Sequence, residues 1–425
     1  MKPDGHVEAL LFRHEVGRYL VSRFLYQFAP ALWSTRVAPL DRIVLPRPSS
    51  STAGWVRLRV RLSGICGTDL SMVTGRDSLY LEPEATYPFV PGHEIVGEVT
   101  EDSNVPANGR DVGPGSRVAV WPVIGCVARG YSPPCEPCAG GWDGLCERRA
   151  AAPWPGSALA LGFSRETGGG WSDECLAHVS QLWPLPGSVE DGDALLLDPS
   201  ATALGALLRG DGPAPERTLV IGGGTIGLLC AYLARRLSLP GRTELLVRHE
   251  SQRRWAEAHG LEAEVVRGER GFGAWASGRT MRVTRVTGYG NVVHGTFDRV
   301  IDAAGTRSSL RWAMSAVRAG GELVLTTTPH ALGSVDPTPL WYREIRCRGV
   351  NGYGPVRWQG NWTHPYSVLL PRLADGSLRL RDLHTHTFPL RDYGGAIVTA
   401  LRKESGAIKV AFAPTPAARA NPEPA

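Results

Sequence analysis

Three side chains with the chemistry to hold a metal ion stand close together early in this 425-residue chain. Cys66 lies in Gly64-Ile65-Cys66-Gly67-Thr68-Asp69, and His93 and Glu94 lie in Pro91-Gly92-His93-Glu94-Ile95-Val96-Gly97. A thiolate, an imidazole and a carboxylate, separated by a segment able to fold back, form a first shell suited to a catalytic Zn²⁺. Buried cysteines and satisfied histidines are common taken singly. The glycines beside each donor add weight, because they let the backbone turn tightly around a small ion.

A second group of donors follows. Cys135-x2-Cys138-x7-Cys146 places three thiolates at a spacing suited to a tetrahedral structural Zn²⁺. The loop between Cys126 and Cys135 contains Gly130, Pro133 and Pro134 and can turn back, which makes Cys126 the candidate fourth ligand of a lobe over about 124–148. Cys175, Cys230 and Cys347 are isolated and read as small apolar residues.

The third constellation is Gly222-Gly223-Gly224-Thr225-Ile226-Gly227, a G-x-G-x-x-G turn that follows an apolar strand pattern and opens a helical one. There glycine lets the backbone approach a pyrophosphate, and the helix N-terminus offers unpaired N–H groups. Gly222, Gly224, Thr225, Ile226 and Gly227 are therefore cofactor-binding candidates. The next strand ends in Val247-Arg248-His249, with no carboxylate at its tip to take the ribose hydroxyls. A guanidinium there can pair with a 2′-phosphate, so Arg248 and His249 point to NADP(H) in preference to NAD(H). The competing assignment gives the ribose to Glu250.

Residues from Val7 to Arg13 read as a strand, and Trp55 to Leu62 alternates Val56, Leu58, Val60 and Leu62 with Arg57, Arg59 and Arg61, the mark of a half-exposed strand. Between them Val16, Tyr19, Leu20, Phe24, Leu25 and Phe28 recur at helical spacing. A helix packed on its own core is the plain expectation there; a subunit contact, a pocket wall or a membrane-surface helix are the others. Short strands and Gly/Pro turns up to about residue 200 predict a mostly antiparallel β unit. Beyond it the pattern alternates strand and helix: Thr218–Ile221, Ile226–Leu237, Glu244–Val247, Arg299–Ala303, Ser308–Arg318, Glu322–Thr326. That alternation predicts a doubly wound parallel sheet. Residues 267–296 read as an irregular excursion. Helical and strand patterns return near Tyr366–Leu373, Thr385–Phe388, Tyr393–Arg402 and Ile408–Phe412, and the tail from Pro414 reads as disordered.

Apolar content of 43% and charged content of 20% are those of an ordinary globular protein, and the length allows two cores. The net charge of +5 is mild and scattered, which excludes a nucleic-acid partner as an expectation. No run is long enough to span a bilayer and no secretory layout opens the chain, so the expected address is cytoplasmic with no membrane partner and with reduced, metal-binding thiols.

Together, Cys66-Gly67-Thr68-Asp69, Gly92-His93-Glu94, the cysteine lobe and the Gly222–Gly227 turn, in this order, resemble the zinc-dependent alcohol dehydrogenase branch of the medium-chain dehydrogenase/reductase superfamily. The resemblance runs from about Val7 to Phe412. It implies an α/β chain with a GroES-like, mostly-β catalytic domain (1–199 and 346–413) interrupted by a doubly wound Rossmann cofactor domain (200–345), with 414–425 as tail. It also implies one catalytic and one structural Zn²⁺, with Cys66, His93 and Glu94 at the catalytic ion. Asp198, where the branch usually carries the Glu of a Glu-Pro pair, becomes a further ligand; read from its own surroundings it caps the helix that follows. Thr68 matches the hydroxyl that passes the substrate proton, and Ser71 stands where many members carry a relay histidine; both are catalytic candidates. Asp302 and Gly305 match the strand end near the bound nucleotide. Ser132 replaces the usual first cysteine of the lobe, and the insertion from His14 to Arg36 lengthens the usual N-terminal hairpin.

The activity so implied is hydride transfer between NADP(H) and a small-molecule alcohol or carbonyl substrate by a homodimer or homotetramer. Two alternatives stand beside it: an NADPH-dependent reductase of an activated C=C or C=N bond without catalytic zinc, and a non-catalytic nucleotide-binding interaction protein. His384, His386 and Lys409 read as structural or surface residues.

Overall fold

The computed structural model describes residues 4–103, 112–152, 154–210, 212–279, 281–288, 290–327 and 335–414. The expectation of a disordered tail falls beyond these, apart from Pro414. The chain divides into two compact units. One comprises Met1–Asp198, Leu369–Arg402 and the segment from Lys409 onward; the other comprises Pro199–Val368 and Lys403–Ile408.

The first unit is built on a mostly antiparallel sheet with strands in the order His384–Phe388, Lys409–Phe412, Trp55–Gly64, Ile95–Val99, Arg117–Val120, Leu182–Pro184; Glu174–His178 also pairs with Trp55–Gly64. The alternation in Trp55–Gly64 works as its period requires. Val56, Leu58 and Val60 are buried in a core with Ile95, Val118, Val120 and Leu176, while Arg59 and Arg61 meet Glu98 and Asp191 at 3.0 and 2.7 Å. The last strand joins this sheet through the pairs Ala411–Gly64 and Phe412–Ser63. That register brings Lys409 from the far end of the sequence to the turn that carries Cys66.

His6–Phe12 pairs antiparallel with Leu40–Pro46, and the insertion between them forms the helix Val16–Phe28. The expectation of a helix packed on its own apolar core is not met. Only Ser22 on this helix is fully buried, whereas Val16, Leu20, Phe24 and Phe28 are exposed. Its inner face is held by polar contacts: Ser22 Oγ donates to the Val73 carbonyl (2.8 Å) and Tyr19 Oη to Asp77 (2.5 Å). Side-chain periodicity locates an apolar stripe but not which side the fold covers.

The second unit is a six-stranded parallel sheet ordered Glu262–Val265, Arg242–Val247, Arg217–Ile221, Phe297–Asp302, Val317–Leu325, Arg346–Gly349. In chain order this is 3-2-1-4-5-6, the doubly wound order with its switch between the first and fourth strands. The central strands are near-continuous apolar runs because helices cover both faces: Leu219, Val220, Val300, Ile301, Leu323 and Val324 are all fully buried.

Residues 267–296 are not irregular. They form the helix Gly268–Ser277 and an antiparallel hairpin of Arg282–Val286 with Gly290–His294. Glycines at 268, 271 and 273 blur the helical pattern. Burial of Phe272, Trp275 and Ala276, with Phe272 stacked on Trp312 at 5.1 Å, supplies the stability that propensity does not.

Candidate active site and metal centres

Cys66 stands at the N-terminus of the short helix Gly67–Val73, and its backbone N–H donates to Asp69 Oδ2 at 2.8 Å. His93 and Glu94 occupy the turn that enters the strand Ile95–Val99. Two glycines make that turn possible. Gly92 has φ +94°, and a Cβ there would lie 2.4 Å from the Trp171 ring; a Cβ on Gly64 would lie 1.8 Å from Glu94 Oε2. The result is that the donor atoms of Cys66, His93 and Glu94 all lie within 4.8 Å of one another, with both His93 and Glu94 buried.

The surroundings orient these donors. The His93 ring stacks on Phe163 at 5.3 Å, and its Nδ1 faces Asp69 Oδ1 at 3.7 Å. Burial opposes charge on His93, but the Asp69 carboxylate, the Cys66 sulfur and Asp198 outweigh it and push the imidazole up to about 10. Asp69 is wholly buried, and desolvation raises its carboxyl. A buried carboxylate that fixes the orientation of a metal-binding histidine is a common second partner of such sites. Sequence reading passed over Asp69, although an acid inside the apolar run Leu70 to Val73 requires a partner.

Lys409 is the second residue missed. It is 3% exposed, not a surface residue, and its Nζ lies 2.6 Å from both Glu94 oxygens and 3.2 Å from the Ile65 carbonyl. The available signal was a lysine between Ile408 and Val410 in a chain that otherwise uses lysine only at Lys2 and Lys403. Asp198 is also buried, and desolvation pushes it up to about 7. It lies inside the first turn of the helix Leu197–Leu208 rather than at its cap, and its Oδ1 is buried with no hydrogen-bond partner. It is not within the Cys66–His93–Glu94 grouping. Thr68 Oγ1 lies 3.8 Å from Cys66 Sγ, whereas the Ser71 hydroxyl donates to the Gly67 carbonyl at 2.9 Å.

These donors fit a zinc ion. Soft and borderline donors converge on one point, and an orphaned buried carboxylate oxygen is left over in the same unit. The cysteine lobe fits as well: Cys126, Cys135, Cys138 and Cys146 come together, with Cys126 Sγ 3.5 Å from Cys135 Sγ and 3.7 Å from Cys146 Sγ. Four sulfurs about 2.3 Å from a tetrahedral zinc stand about 3.8 Å apart. All four are free thiols. Cys126 is thus in place despite Ser132.

In the second unit Gly222 has φ +124°, and a Cβ on Gly227 would lie 1.8 Å from the Gly222 carbonyl oxygen. The helix Thr225–Arg236 starts directly after Gly224, where an added Cβ meets nothing within 4 Å, so its first N–H groups face open space. Thr225 Oγ1 donates to the Ile408 carbonyl (3.0 Å), and Ile226 is half-buried.

At the second strand's tip Arg248 is exposed, and the Arg267 Nε donates to its carbonyl at 2.8 Å. His249 caps the helix Glu250–Ala258 with its side chain, and Gln252 Oε1 accepts from the N–H groups of Arg248 and His249. Glu250 is clasped by Arg253, and this hydrogen bond, with Arg254 and Arg267 nearby, lowers its carboxyl. The Asp302 carboxylate is turned inward, accepting from the N–H groups of Ala304 and Gly305 and from Ser309, so it orders the Gly305 turn (φ +62°).

Comparison with known proteins agrees with this geometry. Residues 52–187 match the family described as the alcohol dehydrogenase GroES-like domain. The starvation-sensing protein RspB of Escherichia coli is 25% identical over 359 residues, covering 83% of this chain and 89% of that protein. The sorbitol dehydrogenase of Arabidopsis thaliana is 26% identical over 367 residues, 84% of this chain and 88% of that protein. Among solved structures, acetophenone reductase from Geotrichum candidum, in complex with NAD, superposes with a TM-score of 0.69 at 18% identity, covering 97% of this chain and 98% of that one.

Proposed function

This chain is an NAD(P)(H)-dependent oxidoreductase of the zinc-type, alcohol-dehydrogenase-like medium-chain dehydrogenase/reductase superfamily, and from that premise we propose that it moves a hydride between NADP(H) and the carbon of an alcohol or carbonyl substrate at a zinc site. The observation that carries the reading is the convergence of Cys66, His93 and Glu94 beside a buried, unpartnered Asp198 oxygen. Cys66, His93 and Asp198 would hold the ion, because both Glu94 oxygens are already engaged by Lys409. When bound, the zinc supplies a Lewis acid and NADP(H) supplies the hydride donor or acceptor.

The chain's own residues do the rest. Asp69 holds the His93 ring in place, and Phe163, stacked on that ring, keeps water from one side of it. In the oxidising direction Thr68 accepts the substrate hydroxyl proton and passes its own to the cofactor ribose or to water; in reduction the path runs backwards. Ser71 supports Thr68 by tightening the turn rather than by relaying, since its hydroxyl is bonded to Gly67. Arg248 turns the cofactor choice to NADP(H): it is exposed at the strand tip, while Glu250, the residue that would favour NAD(H), is neutralised by Arg253. The acetophenone reductase was solved with NAD, so this choice rests on the arginines of this chain.

The Lys409–Glu94 pair favours a second reading, because it satisfies a carboxylate without an ion: reduction of an activated C=C or C=N bond with zinc in the cysteine lobe alone. One experiment separates them. Two zinc ions per chain by elemental analysis, and NADP(H)-linked turnover on an alcohol and carbonyl panel, are expected. Cys66→Ala and His93→Ala should each lose one zinc and at least about 10³-fold in turnover while still binding NADPH. Full activity in either variant with one zinc remaining sinks the zinc mechanism.

A further inference from the structure

We propose that the outward face of the insertion helix Val16–Phe28 is a homodimer interface in which two copies of this chain cross antiparallel about a two-fold axis. The helix is amphipathic the wrong way round for a monomer. Its inner face is anchored by Ser22 on Val73, by Tyr19 on Asp77 and by Arg18 on Asp41 (3.0 Å), and it lies so close to Gly75 that a Cβ there would be 2.8 Å from Arg23 Cβ. Outward stand Val16, Leu20, Val21, Phe24 and Phe28, between 49% and 67% exposed. Four of them fall at intervals of four residues, one stripe along a helix about 20 Å long.

Both the size and the pattern of the stripe suit a second copy. The five side chains expose on the order of 500 Å² of surface, about 1,000 Å² for two copies, which reaches the range of a specific protein interface. Leu32, 72% exposed just beyond the helix, adds to it. A two-fold axis passing between Leu20 and Phe24 sets Leu20 against Phe24 of the second copy and Val16 against Phe28, small opposite large at each level, as an isologous contact requires. Phe24 and Phe28 already touch at 5.3 Å, so little side-chain freedom is lost on docking. Gly17 lies on the same face with open space around it and lets the backbones approach. An anionic lipid surface is the poorer occupant, because Arg13 and Arg18 are held by Asp41.

The test is the mass of the full chain by light scattering after gel filtration, a readout separate from turnover and hence from the zinc mechanism. Wild type is expected as an even-numbered oligomer, and Phe24→Asp with Phe28→Asp as a species of half that mass, with unchanged zinc content and thermal midpoint. A Leu20→Cys, Phe24→Cys chain should form a covalent dimer on oxidation that reductant reverses. A monomeric wild type overturns the proposal, as does an unchanged mass in the charged variant. Binding of wild type to vesicles of phosphatidylcholine and phosphatidylglycerol that the variant alone loses, with no change of mass, assigns the face to lipid and overturns it too.

Discussion

Two carboxylates compete for one role beside Cys66 and His93, and their partners separate them. Glu94 is already neutralised by a buried ammonium, whereas Asp198 keeps an oxygen with no hydrogen bond. An unpaired buried carboxylate is costly unless a cation or proton meets it, which is why burial pushes Asp198 up to about 7. Asp198→Ala should therefore lower zinc affinity about 10- to 100-fold, the loss typical when a group that supports a metal is removed. Glu94→Gln should keep the zinc and instead lower the thermal midpoint, since it strands the Lys409 ammonium, a change worth about 3–5 kcal/mol. The reverse pattern in a zinc titration with a fluorescent chelator would assign the ligand to Glu94. His93, Cys66 and the glycines around them could be read from neighbouring residues. Lys409 and Asp198 could not be weighed that way, because what decides their role is burial and a partner 315 positions away for Lys409.

Elements set the next level of behaviour. The tip of the second Rossmann strand carries Arg248 because the strand Arg242–Val247 ends there and the helix capped by His249 begins at once. Arg248→Ala should weaken NADPH binding about 10- to 100-fold, the loss of a charge-assisted pairing, and leave NADH binding unchanged by fluorescence titration. Equal losses for both cofactors would remove the 2′-phosphate role. At the end of the strand Glu174–His178, the His178 imidazole is buried against Trp55 (5.8 Å), and desolvation lowers it to about 4. A histidine depressed below its ordinary value of about 6.5 contributes stability that is present above pH 6.5 and is lost as pH falls through 4, because the unfolded chain takes up the proton first. Denaturant midpoints should fall between pH 6.5 and 4 in wild type and fall less in His178→Gln; identical pH profiles would assign the acid sensitivity elsewhere. Sequence period located most of these elements to within a few residues. It missed the helices Gly268–Ser277 and Glu250–Ala258, where glycine and charge hide an apolar face that only tertiary packing reveals.

At the scale of the molecule, the switch from turn-rich strands to strand–helix alternation near residue 200 was legible because periods of 2 and 3.6 are local properties of the chain. The division into units falls at Asp198 and Pro199, and the parallel sheet takes the 3-2-1-4-5-6 order. Three things followed from the sequence by itself: the zinc-donor types at Cys66, His93 and the cysteine lobe, the nucleotide-binding turn at Gly222–Gly227, and the β-rich and doubly wound classes. Each depends on residue identity and short-range spacing. Tertiary structure alone decided the pairing of Lys409 with Glu94, the orphaned oxygen of Asp198, the closing of Cys126 onto its three partners, and the outward turn of the Val16–Phe28 stripe. These depend on which distant segments a register or a buried contact brings together, and no local period encodes that.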